Sequence, residues 1–221
     1  MSTEKVKPKR NKHITREDDL YRNPGESIYG FDSTLAIQNY IREVVREDPS
    51  NIQLILKKPV TLKEGIWKFE HLKQFCREMK PLVIQLQQEC KPDTCDEMTG
   101  TEQWIFLCAA HEKPRKCPAI DYINHTLEGS TCLLNSKEQF PTEAINEKSS
   151  IRKMSSVCRR IYRILSHAYY HHRSIFDAFE SETCLCKRLT FFATKYNLVA
   201  QNTLTVPIFQ EDVLVEFENY K

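Results

Sequence analysis

Glycine is scarce in this chain, with 5 in 221 residues, and long apolar runs are absent. The shortage of glycine disfavours glycine-rich phosphate loops and turn-rich all-β architectures. No stretch reaches the roughly 20 consecutive apolar residues of a membrane-spanning helix, so we expect no transmembrane segment. A net charge of +2 is too small to indicate nucleic acid binding by itself. The length suits one domain with a sizeable core.

The first 30 residues are polar and partly basic, with no apolar segment behind the charges. They do not look like a secretory signal, so we expect the chain to stay in a reducing compartment. Nine cysteines, spread from Cys76 to Cys186, are then expected to be free buried thiols and metal ligands rather than disulfides. We predict a flexible basic tail over 1–30, a folded domain over 31–207 and a C-terminal tail over 208–221.

Two pairs of potential metal ligands stand out. Cys90 and Cys95 flank a four-residue loop that contains a proline, and His167 and His172 follow about 70 residues later. Thiolate and neutral imidazole are ligands that zinc prefers, and four of them complete a tetrahedron with no open position for a substrate. The pattern favours a single structural zinc ion that ties the two halves of the fold together. The alternative is two buried thiols and two surface histidines.

Apolar residues at helical spacing predict a mainly α fold. A first helix is expected to start near Ser33, a second to end or restart at Pro81, and a third to run from Ala119 to a stop at Gly129. Residues 101–118 are dense in β-prone side chains and turn signals, which predicts a small β-hairpin.

The longest predicted helix spans about 151–179, because no proline or glycine interrupts it. On a helical wheel its apolar residues share one face, and three guanidinium groups form a ridge on another. That ridge consists of Arg159, Arg160 and Arg163. Like charges on one face repel one another unless carboxylates or an external anion compensate. The ridge is therefore either a phosphate-binding site or a solvated face paired to acidic neighbours such as Glu143 or Glu147.

The same wheel does not decide which histidine joins His167 as a metal ligand. His171 shares the face of His167, whereas His172 points about 140° away. A local widening of the helix, or cysteines approaching between the two faces, would let His172 serve instead.

Several runs of sequence between about Asp32 and Pro207 carry a family resemblance. They lie at 67–72, 74–76, 90–95, 101–111, 117–122, 157–163 and 166–169. These runs resemble the MOB (Mps one binder) family of kinase adaptors, and most closely its phocein branch. The resemblance implies a MOB-type globule with a four-helix bundle core and one structural zinc ion. Its implied ligands are Cys90, Cys95, His167 and His172, and its implied phosphopeptide pocket is the arginine ridge.

The same resemblance implies a non-catalytic adaptor or scaffold that links kinases and phosphatase in a striatin-interacting complex. Expected partners are a striatin-family scaffold, protein phosphatase 2A, Ste20-type germinal-centre kinases and phosphorylated peptides. The expected location is cytoplasmic and perinuclear, including the periphery of Golgi membranes. An alternative is a co-activator of nuclear Dbf2-related kinases.

Two other classes fit the sequence less well. A zinc hydrolase would need an open metal position, and no His-Glu-x-x-His motif is present. A nucleic-acid module would need stacking aromatics among the basic residues, but here the aromatics interleave with the apolar face of the long helix. We therefore expect neither enzyme activity nor nucleic acid binding.

Overall fold

The computed structural model describes residues 34–101 and 104–207. The tails expected over 1–30 and 208–221 lie outside these residues, as does the start expected near Ser33 for the first helix. The described helices are α1 (Thr34–Glu47), α2 (Ile52–Ile55), α3 (Glu64–Glu89), α4 (Ala119–Asn135), α5 (Lys148–His171), α6 (Arg173–Thr183) and α7 (Leu185–Lys195), followed by a 3₁₀ turn, Gln201–Thr203. The expected mainly α fold is confirmed. Among the described helices, none combines the length and apolar character needed to cross a bilayer.

Helix α3 lies at the centre and packs against α1, α4, α5, α6 and α7. Its inward face repeats at helical spacing through Leu72, Phe75, Met79, Leu82 and Leu86, all at most 1% exposed. Burying each such side chain stabilises the fold by about 1.5–3 kcal/mol relative to exposure. Helices α4 and α5 pack on α3 and on each other, and α7 completes the four-helix core through α3 and α5.

The apolar face expected on the long helix is the buried face of α5. Met154, Val157, Cys158, Ile161 and Leu165 are all at most 1% exposed. Tyr169, which belongs to the same predicted face, is only half-buried. Periodicity therefore located the core side of this helix correctly.

Two expected helix ends are wrong. Pro81 lies inside α3, on its exposed side, where water can solvate the carbonyl that the missing N–H leaves unpaired. Gly129 does not stop α4, which continues to Asn135. A single glycine costs a helix only about 1 kcal/mol, and buried neighbours such as Ser130 and Leu134 hold this turn in place.

Two further expectations are corrected by the backbone. The helix predicted over 151–179 is broken at His172, which has φ −137° and ψ 56° and separates α5 from α6. The hairpin expected within 101–118 is not confirmed. Where the structure describes this region, it forms isolated antiparallel bridges, Thr99 with Ile105 and Cys108 with Arg115.

A buried ion pair joins α3 to α7. The guanidinium of Arg188, 1% exposed, pairs with the Glu78 carboxylate and also donates to the carbonyl of Thr183 from Nε at 3.2 Å and from Nη2 at 3.0 Å. Close by, the fully buried ring of His71 packs against Trp67 and Phe192. Charged and titratable groups thus lie within the helix packing, where their desolvation matters.

Candidate functional site

The four ligands predicted from sequence converge in the structure. Cys90, Cys95, His167 and His172 place one sulfur or nitrogen atom each within 4.8 Å of all the others. The distance from Cys90 Sγ to His167 Nε2 is 3.5 Å, and Cys95 Sγ to His172 Nε2 is also 3.5 Å. A tetrahedral zinc ion, with Zn–S of about 2.3 Å and Zn–N of about 2.0–2.1 Å, separates sulfur from nitrogen by about 3.5 Å. The donor set fits a zinc ion.

The two cysteines are positioned by the end of α3. Cys90 caps this helix, with its backbone N–H donating to the Leu86 carbonyl at 2.8 Å. The chain then turns, and the Cys95 N–H donates to the Lys91 carbonyl at 2.8 Å. The Cys95 carbonyl in turn accepts from the N–H of Ala119, the first residue of α4. The loop is therefore anchored on both sides before any metal is considered.

Each histidine has an oxygen near its second ring nitrogen. His167 Nδ1 lies 2.8 Å from the Thr99 carbonyl, which accepts a hydrogen bond from Nδ1–H and leaves Nε2 facing Cys90. His172 Nδ1 lies 3.8 Å from the Glu89 carboxylate, while Nε2 faces Cys95. Such outer partners are usual for zinc-binding histidines, because they select the tautomer and hold the ring orientation.

The choice between His171 and His172 is made by the helix break. His172 ends α5 outside helical geometry, so its side chain is released from the wheel and turns toward Cys95. His171 continues the helix, stacks on His167 with ring centroids 4.7 Å apart, and bonds Thr99 Oγ1 at 2.8 Å. One expectation from the sequence was a locally widened helix. The structure instead ends one helix and starts another.

Burial controls the charge of these groups. Burial, with the neighbouring Cys95 thiol adding to it, raises the pKa of Cys90 to about 12. Burial lowers the pKa of His167 to about 4 and also lowers that of His172. The imidazoles are thus neutral, as metal ligands must be, and the Cys90 thiol needs a cation beside it to ionise.

The arginine ridge lines a surface pocket of about 410 Å³. Arg159 and Arg160 are exposed and Arg163 is half-buried. Among the described residues, the ion pairs join other side chains, and neither Glu143 nor Glu147 pairs with the ridge. The alternative of a face neutralised by those two glutamates is not what the structure shows.

Arg163 is held more firmly than the wheel indicated. Its Nη1 donates to the Tyr122 hydroxyl at 2.7 Å, and its guanidinium lies 4.2 Å from the centre of the Phe106 ring. These contacts tie α5 to α4 and to the segment before α4. Sequence reasoning missed both partners, because nothing in local spacing links residues 41 and 57 positions away.

Apolar side chains surround the arginines. Trp104 and Leu107 are 48% and 51% exposed. A second pocket, of about 170 Å³, lies between Trp104, Phe106, Arg159 and Arg163. A basic pocket and exposed apolar groups thus share one surface, as expected where a charged peptide group binds beside an apolar one.

The structure brings together another Cys/His group that could hold a metal ion. Its members are Cys108, His111, Cys117 and His125. The sequence predicted one metal site and did not single out these four residues as a second. The spacing Cys-x2-His followed by Cys-x7-His was the signal that could have found them.

Comparison with known proteins matches residues 44–207 to the Mob1/phocein family. The chain is 56% identical to MOB kinase activator-like 4 of Drosophila melanogaster over 200 residues, which cover 90% of each chain. It is 49% identical to MOB-like protein phocein of Caenorhabditis elegans over 207 residues, 94% of this chain and 93% of that one. Human MOB kinase activator 3B is 26% identical over 161 residues, 67% of this chain and 74% of the other.

Proposed function

Because the chain belongs to the Mob1/phocein family, we propose that it is a non-catalytic adaptor that docks phosphorylated Ser/Thr peptides on its arginine pocket. A structural zinc ion at Cys90, Cys95, His167 and His172 holds the end of α3 against the end of α5. Four protein ligands leave no position for a reacting water, so the ion serves the fold rather than turnover.

The observation that carries the proposal is that Arg159, Arg160 and Arg163 line one pocket without a carboxylate partner among the described ion pairs. Guanidinium groups remain charged at any physiological pH and bind phosphate oxygens through paired N–H donors. Arg163 is already oriented by Phe106 and Tyr122, so less side-chain freedom is lost on binding.

The proposed partners rest on the resemblance of the sequence to the phocein branch, and the 49% identity to MOB-like protein phocein supports that resemblance. We infer an adaptor that links a striatin-family scaffold, protein phosphatase 2A and Ste20-type germinal-centre kinases in one complex. Its location would be cytoplasmic and perinuclear, including the periphery of Golgi membranes. Phosphopeptide docking would let the phosphorylation state of a kinase decide whether it joins the complex.

A second candidate function is kinase co-activation, including of nuclear Dbf2-related kinases. It is favoured by the names of two relatives, MOB kinase activator-like 4 and MOB kinase activator 3B. An adaptor retains its partners without changing kinase rate, whereas a co-activator raises the rate of the purified kinase. Kinase assays with and without the full chain separate the two functions.

The test of docking compares Arg159→Ala/Arg160→Ala with a charge-matched control, Lys148→Ala/Arg152→Ala, exposed on the first turns of α5. Affinity for a phosphothreonine peptide is measured beside its unphosphorylated form. Losing two charge-assisted contacts should weaken phosphopeptide binding at least about tenfold, and the control should bind normally. An equal loss of affinity in both variants would mean that the overall positive charge, rather than the arginine pocket, binds the peptide.

Cytosolic pull-downs with the same proteins test the adaptor role. Recovery of striatin-type, phosphatase and kinase subunits by wild type supports the proposed complex. A phosphate-dependent subset that disappears with the pocket variant identifies the docked partners. Recovery of none of them by wild type would remove the proposed assembly.

A further inference from the structure

A second group of two cysteines and two histidines lies apart from the first. Cys108, His111 and Cys117 belong to the segment that precedes α4, and His125 lies on the second turn of α4. Their four ligand atoms all lie within 4.8 Å of one another, as in the first group.

The distances within this group resemble those of a tetrahedral site. Cys108 Sγ lies 3.5 Å from His125 Nδ1, which matches the separation of about 3.5 Å that a zinc ion imposes between sulfur and nitrogen. His111 Nε2 lies 3.0 Å from Cys117 Sγ, so this pair is closer together than a bound ion would hold it. The two imidazole rings are nearly perpendicular, at 86°, with centroids 5.1 Å apart.

The local backbone suits a metal knuckle. Cys108 and Arg115 form an antiparallel bridge, with N–H to carbonyl distances of 2.7 and 3.2 Å, which returns the chain so that Cys117 faces Cys108. Burial raises the pKa of Cys108, and the backbone N–H of Ala110 beside its sulfur opposes that rise. Such N–H groups stabilise a thiolate, which is the form that binds metal.

The burial pattern gives the strongest reason to look for an ion. Within 104–117, the two cysteines are the only buried residues, at 2% exposure for Cys108 and 4% for Cys117. A segment with so little apolar burial does not offset the entropy lost on ordering it. Binding of a metal to Cys and His ligands supplies that free energy directly.

We propose that Cys108, His111, Cys117 and His125 bind a second structural zinc ion. Two thiolates and two imidazoles neutralise and enclose Zn²⁺, and this donor set selects it over the oxygen-preferring Mg²⁺ and Ca²⁺. The second ion would hold the segment 104–117 against α4, as the first holds the end of α3 against α5.

The second site also borders the arginine pocket, since Cys108 and His125 line it together with Arg159, Arg160 and Arg163. The ring of Phe106, two residues before Cys108, packs against the guanidinium of Arg163. The second ion would therefore keep one wall of the pocket in place. This consequence rests on the proposed function, whereas the metal site does not.

The decisive experiment is the zinc content of the full chain, purified with zinc in the growth medium and freed of loosely bound metal by gel filtration. Wild type should carry two zinc ions per chain, and Cys108→Ser/Cys117→Ser should carry one. Cys132→Ser, an exposed cysteine on α4 outside both groups, should keep two. One ion per chain in wild type would overturn the proposal, and so would two in the double variant.

A second measurement covers the case in which the double variant does not fold. Wild-type protein reconstituted with Co²⁺ should show thiolate-to-metal absorption of two sites with two sulfurs each, and His111→Gln should change the spectrum of one site only. A wild-type spectrum that saturates at one equivalent would count decisively against a second site.

Phosphopeptide affinity measured on the same proteins keeps this proposal separate from the proposed function. Two zinc ions without phosphopeptide binding would support the metal site and remove the docking function. One zinc ion with phosphopeptide binding would support the docking function and remove the second metal site.

Discussion

The carboxylate of Glu89 lies 3.8 Å from Nδ1 of His172, on the side of the ring opposite Cys95. Glu89 is the last residue of α3, so the residue before the first proposed cysteine ligand lies next to the last proposed histidine ligand. Outer partners of this kind typically contribute tenfold to hundredfold in metal affinity. Glu89→Gln is expected to weaken zinc binding about tenfold, measured by competition with a chelator.

The matched control for that substitution is Glu182→Gln, an exposed glutamate on α6. It removes the same charge without touching a ligand and should leave zinc affinity unchanged. If both variants bind zinc like wild type, Glu89 has no positioning role.

Cys90→Ser should release one zinc ion and lower the melting temperature sharply. Cys90 is completely buried, and removing one of four ligands withdraws the folding free energy that the ion supplies. Thermal melting followed by circular dichroism, with zinc measured on the same sample, checks this. Cys132→Ser should melt like wild type. A Cys90→Ser protein that keeps its melting temperature and its metal would contradict a structural role for the ion.

Tyr122→Phe removes the hydroxyl that accepts from Arg163 at 2.7 Å but keeps the ring. The loss should destabilise the fold by about 1 kcal/mol and lower phosphopeptide affinity by up to about fivefold, because Arg163 is less well oriented. Tyr170→Phe is the control, since its hydroxyl donates to the Thr205 carbonyl at 2.7 Å rather than accepting from an arginine. Equal peptide affinities for the two variants would show that the Tyr122 bond does not serve binding.

Glu78→Gln should destabilise the fold by about 3 kcal/mol, because it leaves the Arg188 guanidinium buried without its counter-charge. Replacing both partners by methionine should cost less, since no charge then remains desolvated. Urea unfolding measures each free energy. Asp177→Asn, which breaks the exposed pair with Arg173, is the control and should change stability by less than about 1 kcal/mol. A loss for Glu78→Gln as small as that would contradict the buried-pair argument.

His71 should make the fold less stable in mild acid. Burial, together with the nearby charges of Arg188 and Lys195, lowers the pKa of His71 to about 3. The unfolded chain takes up a proton near pH 6.5 and the folded protein does not, so stability is lost as pH falls below about 6.5. Between pH 7 and 5.5 the wild type should lose about 1 kcal/mol more than His71→Phe.

Comparing the pH slopes of the two proteins cancels acid effects on the proposed metal sites, which wild type and His71→Phe share. Denaturant unfolding at each pH supplies the free energies. Parallel slopes for wild type and His71→Phe would show that His71 does not titrate differently on unfolding.

Much of the helix pattern could be predicted from sequence, because a buried helical face repeats every three or four residues regardless of what covers it. The buried face of α5 followed from this rule. The ends of helices did not, since the packing of neighbouring residues outweighs the cost of Gly129 and Pro81 inside a helix. The hairpin predicted over 101–118 is not confirmed, because the β-prone residues that the structure describes there form isolated bridges rather than a ladder.

By itself, the sequence determined which residue types are available: two Cys/His pairs suited to zinc, and three arginines on one side of a helix. Tertiary structure decided which atoms meet. It ended α5 at His171 so that His172 reaches Cys95, placed Phe106 and Tyr122 around Arg163, and gathered Cys108, His111, Cys117 and His125. The physical reason is that spacing sets angles only along a regular helix, whereas ligand atoms converge through chain breaks and packing between distant segments.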